Sequence, residues 1–360
     1  MANRESHSNS FQRIIVRMPN WIGDCVMATP LLCDLRSRYP MATITAMCQA
    51  KIAPLLLHDP HLNDRIAFNQ PSGWLHRKEQ LQIIEPLRHE QFDLGLLMTN
   101  SFSSAWWFWR AQVKRRIGFA THWRSWLLTD RLPWPKEACH QIDQYHQLLS
   151  PLGAPSTSAT LPRLYLHEQE IKEARTLLQQ CGWPLKRPPL LGINPGAAYG
   201  SAKCWLPDRF EALTEKLLKE SSFFIVYFGD SAGKPLVDSI CQRFPERVIN
   251  LAGKSSLREL MALISLCDLF LSNDSGPMHM AAALGVPLVA LFGSTSALKT
   301  GPRGTAPVKV IHKQVACSPC YKRVCPIDFR CMKQIEVNEV YDALMELSAQ
   351  SPAISPLLDG

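Results

Sequence analysis

Short apolar runs alternate with segments of helical periodicity along the first half of the chain. Arg13–Arg17 is a β-branched run that predicts a strand, and the apolar positions 28, 31, 32 and 35 then predict a helix. Further strands are predicted at 43–47 and 94–98. Residues 168–181 predict another helix, which Gly182 and Pro184 end.

The second half repeats this order of elements. Helices are predicted over the apolar positions 257, 260, 261 and 264 and from Pro277 to near Gly285. Strands are predicted at Leu190–Asn194, 223–228, 248–251, 269–271 and Leu288–Phe292. Alternating strands and helices in both halves predict two doubly wound α/β domains. In such sheets a ligand lies outside the carboxyl ends of the strands.

Breaks in the pattern predict how the chain is divided. Residues 1–12 are expected to be a flexible N-terminal arm and residues 346–360 a C-terminal tail. Two Rossmann-like domains are expected at 13–165 and 190–345. The region between them, 166–189, is interpreted as an interdomain linker because it contains prolines at 184, 188 and 189.

Composition narrows the class of protein. Of the 360 residues, 46% are hydrophobic and 19% are charged, which predicts packed domains rather than disorder. The polar N-terminus lacks the apolar stretch of a secretory signal, and the weakly polar segment 276–293 is interrupted by proline and histidine. Twelve cysteines without an export signal predict free thiols in a reducing compartment, and hence a cytoplasmic protein.

The net charge of +8 is concentrated in one region. Six Lys or Arg residues but one acid lie between Arg110 and Arg131, with tryptophans at 106, 107, 109, 123 and 126. A basic, aromatic region suits a nucleic acid, a phosphorylated glycolipid or an anionic membrane surface. The alternative is a solvated basic face over a tryptophan-rich core. Since no recognisable nucleic-acid module accompanies it, the lipid interpretations are favoured.

The run Ser272-Asn273-Asp274-Ser275-Gly276-Pro277-Met278-His279 follows a strand and opens a helix. The first turn of a helix has free N–H groups and a positive dipole end, which together suit a phosphate. Asp274 or Ser275 could instead cap the helix. Capping explains one of these residues but not the whole run, so the pattern favours ligand binding.

A second candidate is the loop from Asn194 to Trp205. Its small residues allow close backbone approach to a ligand, and Lys203 supplies a charge suited to a pyrophosphate. An ordinary turn with a solvent-facing lysine is the alternative. The third candidate is Asp24, in the first turn of the first predicted helix. Its carboxylate could compensate the helix dipole or act as a general base on a hydroxyl, and composition does not separate these.

Four cysteines, Cys317, Cys320, Cys325 and Cys331, have C-x2-C-x4-C-x5-C spacing. Four thiolates at such spacing could hold zinc or an iron–sulfur cluster. The favoured interpretation is a thiol-rich loop without a metal, so no metal site is assigned and these four remain a weak candidate.

Taken together, residues 19–24, 195–203 and 273–279 resemble the ADP-heptose:lipopolysaccharide heptosyltransferases of glycosyltransferase family 9. Residues 100–104 and 115–119 make the chain most similar to the type II members. The resemblance spans about residues 13 to 345. It implies a GT-B fold, in which two Rossmann-like domains face each other across a cleft, the first binding the acceptor and the second ADP-heptose.

The resemblance also implies site residues. The catalytic base would be Asp24. Donor contacts are implied for Gly196, Lys203, Gly229, Ser255, Asp274, Ser275, Gly276 and His279, and acceptor contacts for Asn20, Trp21, Asn100, Ser101, Arg115 and Arg116. Ala197, Ala198 and Tyr199 stand where related enzymes can have hydroxyl side chains. Phosphate contacts in that loop would therefore be mostly to backbone.

The activity implied is inverting transfer of L-glycero-D-manno-heptose from ADP-heptose to heptosyl-Kdo-lipid A. This step belongs to inner-core lipopolysaccharide biosynthesis in a Gram-negative cell, and no cofactor or metal is expected. The implied partners are the donor, the lipid acceptor and the cytoplasmic face of the inner membrane, touched peripherally, and not nucleic acid. Alternatives are a type I or III acceptor, a nucleotide-binding metal or redox sensor using the four cysteines, and a nonenzymatic nucleic-acid binder.

Overall fold

The computed structural model describes residues 11–350 except 72–76, 156 and 158. The described chain divides into two units. The first comprises residues up to 53 together with 59–160, and the second comprises 54–58 together with the residues from 161 onward. The predicted N-terminal arm lies almost wholly outside the described residues.

The first unit is built around a sheet of parallel strands in the order β3-β2-β1-β4-β5-β6. Its strands are β1 (Arg13–Arg17), β2 (Thr43–Gln49), β3 (Asp64–Phe68), β4 (Leu94–Leu97), β5 (Arg115–Phe119) and β6 (Asp130–Leu132). Its helices are α1 (Ile22–Arg38), α2 (Arg77–His89), α3 (Phe102–Arg110) and α4 (Gln141–His146), with 3₁₀ turns at Ser125–Leu127 and Gln147–Leu152.

The second unit has the same topology, with strand order β12-β11-β10-β7-β8-β9. Its strands are β7 (Leu190–Asn194), β8 (Phe224–Tyr227), β9 (Val248–Asn250), β10 (Leu269–Asn273), β11 (Leu288–Phe292) and β12 (Val308–His312). Its helices are α5 (Glu168–Gln180), α6 (Pro207–Glu220), α7 (Lys234–Cys241), α8 (Leu257–Ser265), α9 (Gly276–Ala283), α10 (Ala297–Thr300), α11 (Arg330–Lys333) and α12 (Val337–Gln350).

Burial explains the apolar runs of the central strands. Every residue of β7, β10 and β11 is buried, as expected of parallel strands covered on both faces. In the first unit Ile14, Ile15 and Val16 of β1 are likewise inaccessible to solvent. The strands predicted from these runs are therefore confirmed, and so is the doubly wound α/β class.

Local signals set several helix starts. Pro207 occupies the first turn of α6, where its missing N–H is not needed. Ser256 and Glu259 form a reciprocal capping box at α8, and His167 and Glu170 do the same at α5. After α9, Gly285 has a positive φ of 75°, as expected where a helix ends.

The predicted domain boundaries differ from the division of the structure. Residues 166–189, interpreted as a linker, contain α5 and belong to the second unit, where α5 packs against α8. Helix α12 continues to Gln350, beyond the predicted domain end at 345. Within the described part of the chain, no helix combines the length and apolar character that a bilayer crossing requires.

Candidate active site

In the second unit, the strand order reverses between β10 and β7. The loops after these two strands diverge there and leave a crevice at the carboxyl edge of the sheet. The loop after β7 carries Gly196 and Lys203, and the loop after β10 carries Asp274 and Ser275. The fold thus brings together two predicted donor segments that are far apart in sequence.

Lys203 and Asp274 form an ion pair at this crevice. Lys203 Nζ lies 2.6 Å from Asp274 Oδ2, with the two side chains 14% and 4% exposed. Thr295, in the loop after β11, donates its hydroxyl to the same Asp274 oxygen at 2.5 Å. A carboxylate with two partners is held in one orientation, so Asp274 orients the lysine ammonium. The alternative of a solvent-facing Lys203 is wrong.

Polar side chains at the strand ends shape the two loops. Asn194 Nδ2 donates to Gly196 O at 2.9 Å and to Ser275 Oγ at 3.2 Å. Asn273 Nδ2 donates to Pro195 O at 2.7 Å, and its Oδ1 accepts from Trp205 N at 3.0 Å. Both asparagines are buried, so these hydrogen bonds connect the two loops beneath the protein surface.

Helix α9 starts at this crevice. Ser275 is its N-cap residue, but the Ser275 side chain makes no capping hydrogen bond to the helix. It instead shares a hydrogen bond with Ser272 Oγ at 2.9 Å. The simple capping interpretation of Ser275 is therefore wrong, and the α9 N-terminus keeps its positive end for a ligand. Gly276 begins the helix and His279 is buried within it.

Gly229 and Ser255 follow β8 and β9, at the same edge of the sheet. Gly253 N donates to Gly229 O at 2.8 Å, which joins these two loops. They continue the edge outward from β7, beside the Lys203 loop. This position is compatible with the donor contacts implied for them, which remain a prediction.

Residues between Cys320 and Cys325 contact the Lys203 loop and support it. Tyr199 Oη donates to Tyr321 O at 2.8 Å, and Ala202 N donates to Arg323 O at 3.0 Å. A Cβ at Gly200 would lie 2.2 Å from Arg323 O, so only glycine permits this approach. Lys203 Nζ stands 4.9 Å from the centre of the Tyr199 ring, which adds a cation–π contact.

In the first unit, the reversal of strand order falls between β1 and β4. The loop after β1 carries Asn20 and Trp21 and leads to Asp24 in the first turn of α1. The loop after β4 carries Asn100 and Ser101. The catalytic candidate and four of the acceptor candidates therefore lie around one crevice of this sheet.

Buried arginines hold the asparagines of this crevice. Arg17, 1% exposed, donates to Asn20 Oδ1 at 2.7 Å and to Met18 O. Burial lowers the pKa of Arg17 to about 10. Arg124, inaccessible to solvent, donates to Asn100 Oδ1 at 3.0 Å, and burial lowers its pKa to about 10 as well. Both asparagines are thus fixed by cations below the surface.

The remaining residues of the crevice differ in exposure. Trp21 is 52% exposed and Asp24 is half-buried. Ser101 caps α3 by accepting from Ser104 N at 3.3 Å. Burial above all raises the pKa of the Cys25 thiol well above its ordinary value, so this thiol is neutral. Asp24 remains the predicted base of this loop.

Arg115 and Arg116 stand elsewhere. They begin β5, at the amino edge of the sheet, whereas Asp24 follows the carboxyl end of β1. Arg115 forms a two-bond ion pair with Asp130, at 2.7 and 3.1 Å. Arg116 donates to Leu127 O at 2.7 Å and to Val113 O at 2.5 Å. The structure does not bring these arginines to the Asp24 crevice, and it gives both guanidinium groups internal partners.

Comparison with known proteins settles the family. The profile of glycosyltransferase family 9 (heptosyltransferase) matches residues 80–329. The chain belongs to glycosyltransferase family 9. It is 33% identical to lipopolysaccharide heptosyltransferase 2 of Salmonella typhimurium over 297 residues, which cover 81% of this chain and 85% of that one.

Solved structures agree with this family assignment. The chain is similar to E. coli ADP-heptose lps heptosyltransferase II, with a TM-score of 0.81, 28% identity and coverage of 94% of this chain and 99% of the other. A family 9 glycosyltransferase from Veillonella parvula matches in fold, with a TM-score of 0.82, 22% identity and coverage of 93% and 97%. The expected GT-B glycosyltransferase fold is confirmed.

The four cysteines of this family 9 glycosyltransferase line one cavity of about 220 Å³, together with Gly293 and Ser294. All four are free thiols. Over the part of the chain that the structure describes, no three Cys, His, Asp or Glu side chains are placed to hold a metal ion.

Sequence reasoning missed Thr295, which contacts the candidate donor residue Asp274 in this glycosyltransferase. It included Asn194, Ser272 and Asn273 in its motifs but gave them no role. Asn194 and Ser272 contact the candidate Ser275, and Asn273 contacts the loop of Lys203 through Pro195 and Trp205. Each lies at or just after the end of a buried strand, where ligand-binding loops of doubly wound sheets begin. Their supporting role could have been predicted from polar residues at the ends of predicted buried strands.

Proposed function

We propose that this chain transfers heptose from ADP-heptose to heptosyl-Kdo-lipid A, with inversion at the anomeric carbon. The proposal rests on the Lys203–Asp274 pair beside the α9 N-terminus, in a chain of a heptosyltransferase family. The relatives that share about a third of its residues are lipopolysaccharide heptosyltransferases 2. The type II activity is therefore preferred to types I and III.

The second unit would bind the donor. As ADP leaves, negative charge grows on the diphosphate, and a cation and a helix N-terminus placed beforehand stabilise that charge. Lys203 supplies the cation, and the first N–H groups of α9 supply the dipole. An ammonium carries three N–H donors, so Lys203 keeps donors for the diphosphate while it is paired with Asp274. This chemistry requires no divalent metal.

The first unit would supply the base. Asp24 lies in the first turn of α1, where the helix dipole stabilises a carboxylate. Removal of the acceptor hydroxyl proton by Asp24, as that oxygen attacks the anomeric carbon and ADP departs, is a single displacement that inverts configuration. Asn20, Trp21, Asn100 and Ser101 surround the same crevice and are the proposed acceptor contacts.

The location proposed for the enzyme is cytoplasmic and peripheral to the inner membrane. The acceptor is a lipid whose sugar headgroup stands at the bilayer surface, so a peripheral contact would bring the Asp24 crevice to its substrate. Nucleic acid is not a proposed partner.

The test presents three acceptors in parallel with ADP-heptose: Kdo-lipid A without heptose, with one heptose and with two. ADP release and product mass are followed for each. The proposal expects turnover and the mass of one added heptose for the one-heptose acceptor alone. Turnover on the unsubstituted acceptor would identify a type I enzyme, and turnover on the two-heptose acceptor a type III enzyme. ADP release without a heavier product would indicate hydrolysis and contradict transfer.

A further inference from the structure

The first unit exposes an unusual set of tryptophans. Trp109, Trp123 and Trp126 are 40%, 92% and 57% exposed. By contrast Trp107, in the same helix as Trp109, is 1% exposed and belongs to the core. Large apolar side chains exposed together on a protein surface mark an interaction site. These three residues are called the aromatic face below.

Contacts between aromatic rings fix the side-chain orientations in the aromatic face. Trp126, in the turn after β5, stacks edge-on against Trp109 of α3 with ring centres 5.8 Å apart. The Trp126 ring also lies near that of Phe102, at the start of α3, with ring centres 6.2 Å apart. The turn and the helix thus present two indoles side by side.

The backbone beside this pair is strained in a way that exposes the third indole. His122 and Trp123 have positive φ angles of 50° and 58°, an uncommon conformation for bulky residues. Directly after them, the buried Arg124 donates to Phe119 O at 3.0 Å and to Thr99 O, which pins the turn to the core. A pinned turn in this conformation projects Trp123 into solvent instead of folding it inward.

The charge around the aromatic face is positive. The Arg110 guanidinium lies 5.9 Å from the Trp106 ring centre, and Arg88 donates to Arg110 O at 2.9 Å. Arg131 is exposed on β6. Two acids of this unit have basic partners: Asp130 pairs with Arg115, and Asp93 with Lys114, 2.8 Å apart. The surface that remains combines indoles with cations.

This combination selects one class of partner. Indole rings favour the boundary between bilayer headgroups and acyl chains, and cations near a membrane are attracted to anionic lipids. A nucleic acid is favoured less, because the N–H groups of Arg115, Arg116 and Arg124 donate hydrogen bonds within the protein. We propose that the aromatic face docks on an anionic lipid bilayer, with Arg110 and Arg131 contacting lipid phosphates. The choice of a bilayer rests on the proposed function in one respect, that the acceptor is a membrane lipid.

The test compares the full-length chain with a Trp109→Gln/Trp126→Gln variant. Sedimentation with vesicles of equal parts phosphatidylglycerol and phosphatidylcholine measures binding, and vesicles of phosphatidylcholine alone measure the charge requirement. The wild-type chain should bind the anionic vesicles, and the variant about tenfold or more weakly, because two apolar rings no longer enter the interface. Quenching of tryptophan fluorescence by brominated lipid reports insertion directly.

Matched controls separate this result from general loss of apolar surface. A Met41→Gln/Leu185→Gln variant removes two side chains that are 95% and 85% exposed and should bind like wild type. If the double tryptophan variant unfolds, Trp123→Ser at the most exposed indole replaces it and should also weaken binding.

Three outcomes overturn the inference. They are no wild-type binding to anionic vesicles, equal binding by the variants, or a wild-type oligomer that the tryptophan substitutions dissociate, which would make the face a protein interface. Heptose transfer to detergent-dispersed acceptor is measured in parallel. Absence of transfer by the wild-type chain would contradict the proposed function. Transfer by the variants at the wild-type rate would show that the substitutions affect membrane binding and not the reaction.

Discussion

Replacement of Thr295 by valine tests whether the donor lysine is oriented through Asp274. Thr295 is 6% exposed, and its hydroxyl donates to Asp274 Oδ2 at 2.5 Å, the oxygen that faces Lys203 Nζ. Valine keeps the shape of threonine and removes only the donor. Asp274 retains its pair with Lys203, so the carboxylate is not left without a partner.

The magnitude follows from the kind of bond removed. A hydrogen bond to a charged acceptor contributes about 1.5–3 kcal/mol, and the lower end applies because Lys203 still holds Asp274. If that energy orients the lysine in the transition state, about 1.5 kcal/mol corresponds to about a tenfold loss in kcat/KM for ADP-heptose. The free energy of unfolding should fall by about 1 kcal/mol. Thr295→Ser restores the hydroxyl and should recover most of both.

The assay is steady-state ADP release with saturating acceptor, alongside urea unfolding, for Thr295→Val in the wild-type and Lys203→Ala backgrounds. Residues that act through one another are not additive, so the valine substitution should change kcat/KM less than about twofold once Lys203 is gone. Equal losses in both backgrounds would refute the reasoning, since Thr295 would then act without the lysine. Unchanged kcat/KM with reduced stability would make the contact purely structural.

Four further outcomes are expected. Asp24→Asn should lower kcat about 10²–10⁴-fold while ADP affinity, measured by calorimetry, stays unchanged; normal turnover would remove Asp24 from the chemistry. Exchange of Arg115 and Arg116 for alanine should lower the free energy of unfolding by about 2 kcal/mol through lost internal hydrogen bonds and leave the acceptor KM unchanged, whereas a raised KM in a stable variant would restore the acceptor role. Arg258, by its hydrogen bonds, lowers the pKa of Glu170 from 4.5 to about 2. A carboxyl whose pKa is depressed in the folded state stabilises the protein above its unfolded-state pKa, and this stabilisation is lost as pH falls toward about 2. Glu170→Gln should therefore reduce the loss of unfolding free energy on acidification by about 2 kcal/mol, measured by urea unfolding. EDTA should leave turnover intact, and a strict need for added Mg²⁺ would contradict the metal-free mechanism.

Much of the fold was determined by local signals in the sequence. The runs that became β7, β10 and β11 are apolar throughout because both faces of these strands are covered, and helix ends such as Gly285 follow from backbone conformation. The order of the strands within each sheet depends on pairing between distant segments, such as β1 with β4. Local periodicity does not encode that pairing, and neither does it show that α5 packs on α8.

The candidate site divides in the same way. Sequence motifs located the loops of Asp24, Lys203 and Asp274, because small, polar and charged residues after a buried strand are local features. That Asp274 holds Lys203, and that Thr295 holds Asp274, was decided by the neighbouring positions of β7, β10 and β11. The family resemblance had implied an acceptor contact for Arg115. Only the tertiary structure assigned it to the amino edge of β5 with Asp130 as its partner, because a charge does not specify its neighbours until the chain is folded.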